Sequence, residues 1–247
     1  MQAEIQKRVL IDVILPDMRT LPRANRLAVD VVLVISFALL VALCAQIAIK
    51  IPTTTVPITG QTFGVLLTGG ALGSKRGGLS LLFYMLMGMA SVPAFAPKSS
   101  YLTEKPFHFV LPWSGESGQV WDMSSGGYIV GFILAAFLVG LLAERGWDRR
   151  ASVPIAMLIG NVAIYLIGLP WLAIFIGSGA TIPGLDLTYY EVISGSNVLD
   201  KTLTGGLYPF IGGDALKLLA AAMILPGAWS LIHKTKDRDK PAPARHS

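Results

Sequence analysis

Six stretches of this chain carry no Asp, Glu, Lys or Arg: Val31–Ile49, Ile51–Ser74, Gly77–Pro97, Met123–Ala143, Ala151–Leu185 and Leu218–His233. Each approaches or exceeds the roughly 20 apolar residues that cross about 30 Å of hydrocarbon as a helix. Backbone N–H and C=O groups in lipid find no water to bond, so such segments have to be helical. The pattern predicts spans near Leu27–Ile49, Gln61–Gly73, Gly78–Phe95, Ser125–Ala143, Val153–Gly177 and Gly206–Ile232. The expected fold is an all-α integral membrane protein of six transmembrane helices, with residues 27–232 as the membrane domain.

The breaks between these stretches shape the expectation further. Ile51–Gly60 reads IPTTTVPITG, and its two prolines and threonine cluster interrupt any helix. The second span, Gln61–Gly73, reaches only about 20 Å at 1.5 Å per residue. It is therefore expected to tilt, or to be flanked by extended backbone buried in protein. Ser74–Gly78 (SKRGG) reads as a tight turn. Lys98–Asp122 and Ser178–Gly205 read as polar segments on the other side, and Trp113 and Trp121 suit the interfacial layer that indoles favour. In residues 1–26, Ile5, Val9, Leu10, Val13 and Ile14 are spaced for a short surface helix; an ordinary disordered terminus is the alternative. The first apolar stretch has no small-residue cleavage site after it and reads as a retained helix. Residues 233–247 are charged and Pro-rich, the composition of a disordered end.

Charge sets the orientation. Only 14% of residues are charged, 53% are hydrophobic and the mean hydropathy is +0.61, whereas a soluble domain carries roughly 25% charged residues. With the spans above, fifteen Lys and Arg fall on one side, among them Arg23, Arg26, Lys75, Arg76, Arg145 and Arg149; only Lys50, Lys98, Lys105 and Lys201 fall on the other. That asymmetry predicts both termini in the cytoplasm. The net charge of +5 is then a topology signal and not a nucleic-acid footprint. Cys44 stands alone in an apolar run, so no intrachain disulfide or thiolate metal cluster is expected. No G-x-x-x-x-G-K-[ST], H-E-x-x-H or G-x-S-x-G pattern occurs, which leaves ATP hydrolysis, zinc hydrolysis and the serine elbow without support. Neither an enzyme nor a bound cofactor is expected.

Chemistry concentrates in the last span. Asp214 and Lys217 lie three apart and share one helical face. Each costs about 2.5 to 3.5 kcal/mol at the centre of a span on insertion scales, and such residues usually face a cavity on a substrate or ion path. The other reading is mutual neutralisation near the interface. Gly205, Gly206, Pro209, Gly212 and Gly213 suggest irregular backbone lining an opening, which favours a site.

Gly206–Lys217 (GLYPFIGGDALK) resembles a segment of the BioY family, the substrate-binding S components of energy-coupling-factor (ECF) biotin transporters. Val56–Gly69 (VPITGQTFGVLLTG), Ala71–Gly88 with Val92–Ala96, Ser125–Gly131 (SGGYIVG) and Gly160–Leu172 (GNVAIYLIGLPWL) are similar to further family blocks, in the same order. The resemblance implies an ECF S-component bundle that binds one biotin near the external face of the bacterial cytoplasmic membrane. In that frame Asp214 accepts from the ureido N–H groups in charge-assisted bonds, and Lys217 donates to the ureido carbonyl. Tyr165, Trp171 and Tyr128 would pack the bicycle, and Asn161 would bond the ureido edge or the tail carboxylate. Gly126 and Gly127 would bring backbone close to the ligand. Gln61 and Thr59 would line the loop that closes over it, or else cap the short second helix.

Ala38 and Ala42 match the small-residue stripe by which the family docks onto a transmembrane coupling subunit; internal packing is the alternative. Two ATPase subunits would complete that assembly. An S component for another vitamin and a solitary biotin carrier are the rival readings. This chain departs from the family at Trp121–Ser125, where Gly-Pro-Thr is frequent, and its external segments are long.

Overall fold

The first long charge-free stretch forms a helix that begins and ends earlier than hydropathy predicts: Arg23 and Arg26 extend its polar end, and the helix closes at Ala45 with Gln46 as its C-cap. The computed structural model describes residues 9–15, 20–50, 54–97, 107–149, 151–182 and 186–238. Ile5 and the tail beyond residue 238 lie outside the described residues. The helices are α1 (Leu10–Ile14), α2 (Arg23–Ala45), α3 (Gln61–Leu72), α4 (Ser74–Met89), α5 (Gly126–Glu144), α6 (Val153–Gly177), α7 (Tyr189–Val192), α8 (Val198–Gly206) and α9 (Tyr208–Arg238). Four stretches, Arg23–Ala45, Gly126–Glu144, Val153–Gly177 and Val198–Ile232, are long and apolar enough to cross a membrane. The chain is a multi-pass membrane protein.

The short helix α3 is preceded by a partly buried non-helical segment, with Thr54 and Val56 inside the protein. The Thr54 hydroxyl accepts the Val56 N–H and donates to the Gly205 carbonyl, tying this segment to the end of α8. Ser74–Gly78 is not the turn expected from sequence. The turn is Gly73 alone, at φ +83°, a left-handed conformation that glycine adopts without strain. Helix α4 starts at once because Glu144 accepts from both the N–H and the hydroxyl of Ser74, each at 2.7 Å, capping its first turn. Helix α5 packs directly onto this corner: a Cβ at Gly140 would lie 2.3 Å from the Gly73 carbonyl carbon.

Helix α1 is docked, not superficial. Val9 and Leu10 are buried, and Leu10 joins a cluster with Leu66, Val139, Met157, Leu225 and Trp229. Arg76 holds Asp12 at 2.6 Å and Asp30 at 2.7 Å. Trp229 donates to Asp148 at 2.7 Å, and Arg149 holds the other Asp148 oxygen at 2.8 Å while its guanidinium lies 3.8 Å from the Trp229 ring centroid. The start of the described chain and the end of α9 therefore lie at the same end of the bundle.

A three-stranded antiparallel sheet, order β2-β1-β3, caps the other end. Its strands are β1 (Ala48–Ile49), β2 (Ile58–Thr59) and β3 (Phe107–His108). Two-residue strands leave no alternating pattern in a sequence, so the all-helical expectation passed over them. Gln46 pins this end: its side chain donates to the Phe95 carbonyl at 3.2 Å and accepts the Ser114 N–H at 3.2 Å.

The docking expectation for Ala38 and Ala42 is corrected here. They are 0% and 2% exposed and belong to the core with Val41, Leu81 and Tyr84. Their small side chains let α2 approach α4 closely, so this stripe faces inward, as the internal-packing alternative has it.

Candidate binding cavity

Beneath the sheet lies a cavity of about 300 Å³, at the lower end of the range for small-molecule sites. Its floor and sides come from four helices: Gln61 and Thr62 at the start of α3, Tyr128, Ile129 and Phe132 on α5, Ile164 and Tyr165 on α6, and Phe210, Asp214 and Lys217 on α9. Its roof comes from Thr55–Pro57 and Thr59, Phe95–Pro97, Glu116–Gln119, Asp122–Ser125, Ile182 and Tyr189.

Asp214 sits here because the chain breaks between α8 and α9. Leu207 leaves helical geometry at φ −127°, and α9 restarts so that its second turn faces the cavity. The Asp214 residue is 4% exposed. Its Oδ1 accepts from Lys217 Nζ at 2.9 Å and its Oδ2 from the Tyr165 hydroxyl at 2.5 Å. A carboxylate oxygen has about two acceptor directions, so each retains one, on a residue that lines the cavity. Lys217 has three donors and uses one on Asp214. The pair thus presents acceptors and donors side by side, beside the apolar surfaces of Phe132, Ile164 and Phe210. That combination suits a small heterocycle with adjacent N–H and C=O groups.

Tyr128 backs this arrangement. Its hydroxyl donates to the Gly206 carbonyl at 2.9 Å, and its ring meets Tyr165 edge to face at 6.1 Å. Thr59 and Gln61 meet at the start of α3. They line the cavity, and the Thr59 hydroxyl accepts from the Gln61 N–H at 3.3 Å while donating to Gln61 Oε1 at 2.8 Å. The Gln61 amide nitrogen donates to Tyr84 at 2.7 Å, and Tyr84 donates to the Ala94 carbonyl at 3.2 Å, so the Gln61 side chain is held in place from both sides.

Of the ten residues expected at the site, six line the cavity: Asp214, Lys217, Tyr165, Tyr128, Gln61 and Thr59. The other four stand back from it. A Cβ at Gly127 would lie 2.3 Å from Trp171 Cβ, and one at Gly126 would strike the Val120 carbonyl. These glycines make room for Trp171 and the backbone turn, not for a ligand. Trp171 donates its indole N–H to the Met123 carbonyl at 3.0 Å and so supports the cavity wall from behind. Asn161 is one turn from Tyr165 on the same face of α6 but does not line the cavity, and its Oδ1 is buried with no hydrogen-bond partner.

Sequence reasoning missed part of the roof. Ile182 and Tyr189 come from a segment read as polar and external, yet both are buried. Phe210 lay inside the GLYPFIGG block, where its four-residue spacing from Asp214 was an available signal for a shared face.

A family model described as the BioY family matches residues 18–234. The Pyrococcus horikoshii protein named "Probable biotin transporter BioY" is 34% identical over 197 residues, 80% of this chain and 94% of that protein. The Thermotoga maritima "Biotin transporter BioY" is 31% identical over 180 residues, 71% of this chain and 82% of the relative. The solved "S-component for biotin from an ECF-type ABC transporter" superposes with a TM-score of 0.62 at 17% identity, covering 85% of this chain and 95% of that one; it shares the fold. With a family match spanning nearly its whole length, this chain belongs to the BioY family.

Proposed function

We propose that the chain captures biotin in the cavity under the sheet and delivers it across the membrane, as the substrate-specific component of an ECF-type transporter. The observation that carries this reading is the buried Asp214 carboxylate, which lines the cavity and is held by Tyr165 and Lys217 with acceptor directions left over. A ureido ring has two N–H donors for such a carboxylate and a carbonyl for Lys217. Charge-assisted bonds of this kind are worth about twice neutral ones. The apolar bicycle then meets Phe132, Ile164 and Phe210 in the remaining volume. The named relatives are biotin transporters by their printed names, which agrees with this chemistry.

In this reading the chain makes six spans with both termini in the cytoplasm, and α3 with its non-helical lead-in and α4 complete the six. Residues 27–232 form the biotin-binding membrane domain between cytoplasmic segments 1–26 and 233–247. The fifteen-to-four distribution of Lys and Arg supports that orientation. The membrane is the bacterial cytoplasmic membrane. A transmembrane coupling subunit and two ATPase subunits supply the work, since the chain carries no phosphate-loop motif of its own.

Equilibrium binding of labelled biotin to the purified protein tests the assignment. Submicromolar affinity is expected, with thiamine and riboflavin failing to compete. Competition by either vitamin as effective as that of unlabelled biotin would overturn it.

A further inference from the structure

The end of the bundle that holds the cavity also carries an apolar surface that the cavity does not use. Ala48 pairs with His108 and Ile49 with Phe107 across β1 and β3. Ala48 is buried, so Ile49 and Phe107 project together from the opposite, outward face. Phe109 stacks on Phe107 with ring centroids 6.4 Å apart and planes at 20°. Ile49, Phe107, Phe109 and Leu111 are 42%, 54%, 60% and 78% exposed. Trp113 extends the patch, and its N–H is already donated to the Pro93 carbonyl at 2.7 Å, so the ring needs no water partner. Contiguous exposed apolar residues of this kind mark an interaction surface.

What covers it follows from its neighbours. Along α2, Leu39 and Leu43 are exposed one turn apart and lead into Ile49. Along α4, Phe83 and Leu86 are exposed and lead through Val92 to the carbonyl that holds Trp113. The patch is therefore continuous with two helix faces that meet lipid. Helix α2 has 23 residues, about 35 Å at 1.5 Å each, enough to fill a hydrocarbon layer of about 30 Å. The sheet beyond its end falls at the headgroup level, where aromatic rings are favoured. Lys50 follows Ile49 directly and can carry its ammonium to the headgroups along an apolar stem.

We propose that this face of the sheet lies on the membrane, with Phe107, Phe109, Leu111 and Trp113 inserted at the boundary between headgroups and acyl chains. The sheet is a lipid anchor for the segment that continues into the cavity wall. From Trp113 the chain passes to Ser114, held by Gln46, and to Glu116, bridged to Phe95; Glu116–Gln119 and Asp122–Ser125 then form part of the roof. The anchor and the roof are one length of backbone. The inference does not depend on which ligand the cavity takes.

Spin labels on single cysteines at Phe109 and Leu111, in a Cys44→Ala chain reconstituted in lipid nanodiscs at one copy per disc, test it. Collision rates with oxygen and with a water-soluble nickel chelate give depth, with Leu39 as the lipid reference and Ser196 as the water reference. Oxygen access with exclusion of nickel, as at Leu39, is expected. Nickel access equal to that at Ser196 would overturn the proposal, and so would protection from both reagents, which would mean a protein contact. If the labelled variants do not fold, quenching of parent fluorescence by brominated phospholipid decides the matter. A quenched component that disappears in Trp113→Phe is expected, and quenching unchanged by that substitution sinks the idea.

Discussion

In the proposed site Asp214 is buried without being saturated. Removing one member of a buried charged pair leaves the other uncompensated, at about 3 to 5 kcal/mol when burial is complete, so Asp214→Ala would confound lost binding with lost folding. Asp214→Asn keeps shape and one acceptor but removes the charge that strengthens hydrogen bonds, worth about 1.5 to 3 kcal/mol. The expected result is a dissociation constant for biotin about 10- to 150-fold weaker, with the protein still monodisperse after extraction. Lys217→Met should also weaken binding. The double variant Asp214→Asn, Lys217→Met separates a site from a neutralising bridge: parental affinity in that protein would show the pair to be structural. At this scale much was legible beforehand. A carboxylate and an ammonium inside an apolar span stand out because lipid penalises them. Trp171, Gly126 and Gly127 misled because their role is mutual fit: a glycine that clears a ligand and one that clears an indole look alike in sequence.

At the scale of elements, the helices pack through small residues, and substituting them should break folding before it affects any interface. Ala38 and Ala42 lie inside the α2–α4 contact. Overpacking a filled core typically costs about 1 to 3 kcal/mol per site. The double change Ala38→Leu, Ala42→Leu is therefore expected to lower the Tm of the detergent-solubilised protein and to reduce its yield. Unchanged Tm with intact biotin binding and failed transport would instead return these alanines to a docking role. Whether an Ala-x-x-x-Ala stripe faces a partner or a neighbouring helix depends on rotation about the helix axis. Its spacing is the same either way, so sequence left both readings open.

At the scale of the molecule, two devices hold the end opposite the cavity. Arg76 ties α1, α2 and α4 through Asp12 and Asp30, and Asp148 ties the loop after α5 to α9 through Trp229. Burial pushes the Asp148 carboxyl above its ordinary value, against the pull of Arg149 and Trp229. The folded chain then holds that proton more firmly than the unfolded chain does. Its contribution to stability is fullest below the unfolded value of about 3.9 and falls as pH rises through the folded value. Asp148→Asn keeps an acceptor for Trp229 and cannot titrate, so its Tm should decline less than the parent's as pH is raised from about 4. Parallel profiles would show that Asp148 titrates as an ordinary carboxylate. Topology belongs to the same scale. Cysteines at Ser117 and Ser196, both exposed, should react with an impermeant maleimide outside whole cells, and one at Lys75, exposed at the other end, should not. The reverse pattern would invert the chain.

Local chemistry alone determined that this is a multi-pass membrane protein and roughly where its helices run, and it singled out Asp214 and Lys217 as charges inside an apolar span. Those conclusions rest on transfer free energies and hydrogen-bond satisfaction, which act residue by residue along the chain. Only the tertiary structure decided which faces turn inward. It buried Ala38 and Ala42, folded Ile182 and Tyr189 over the cavity, set Asn161 and Trp171 back from it, and paired Ile49 with Phe107 on one outward face. These outcomes depend on contacts between residues far apart in sequence, and helices such as α5 and α6 are apolar enough all round to leave their own packing face unmarked.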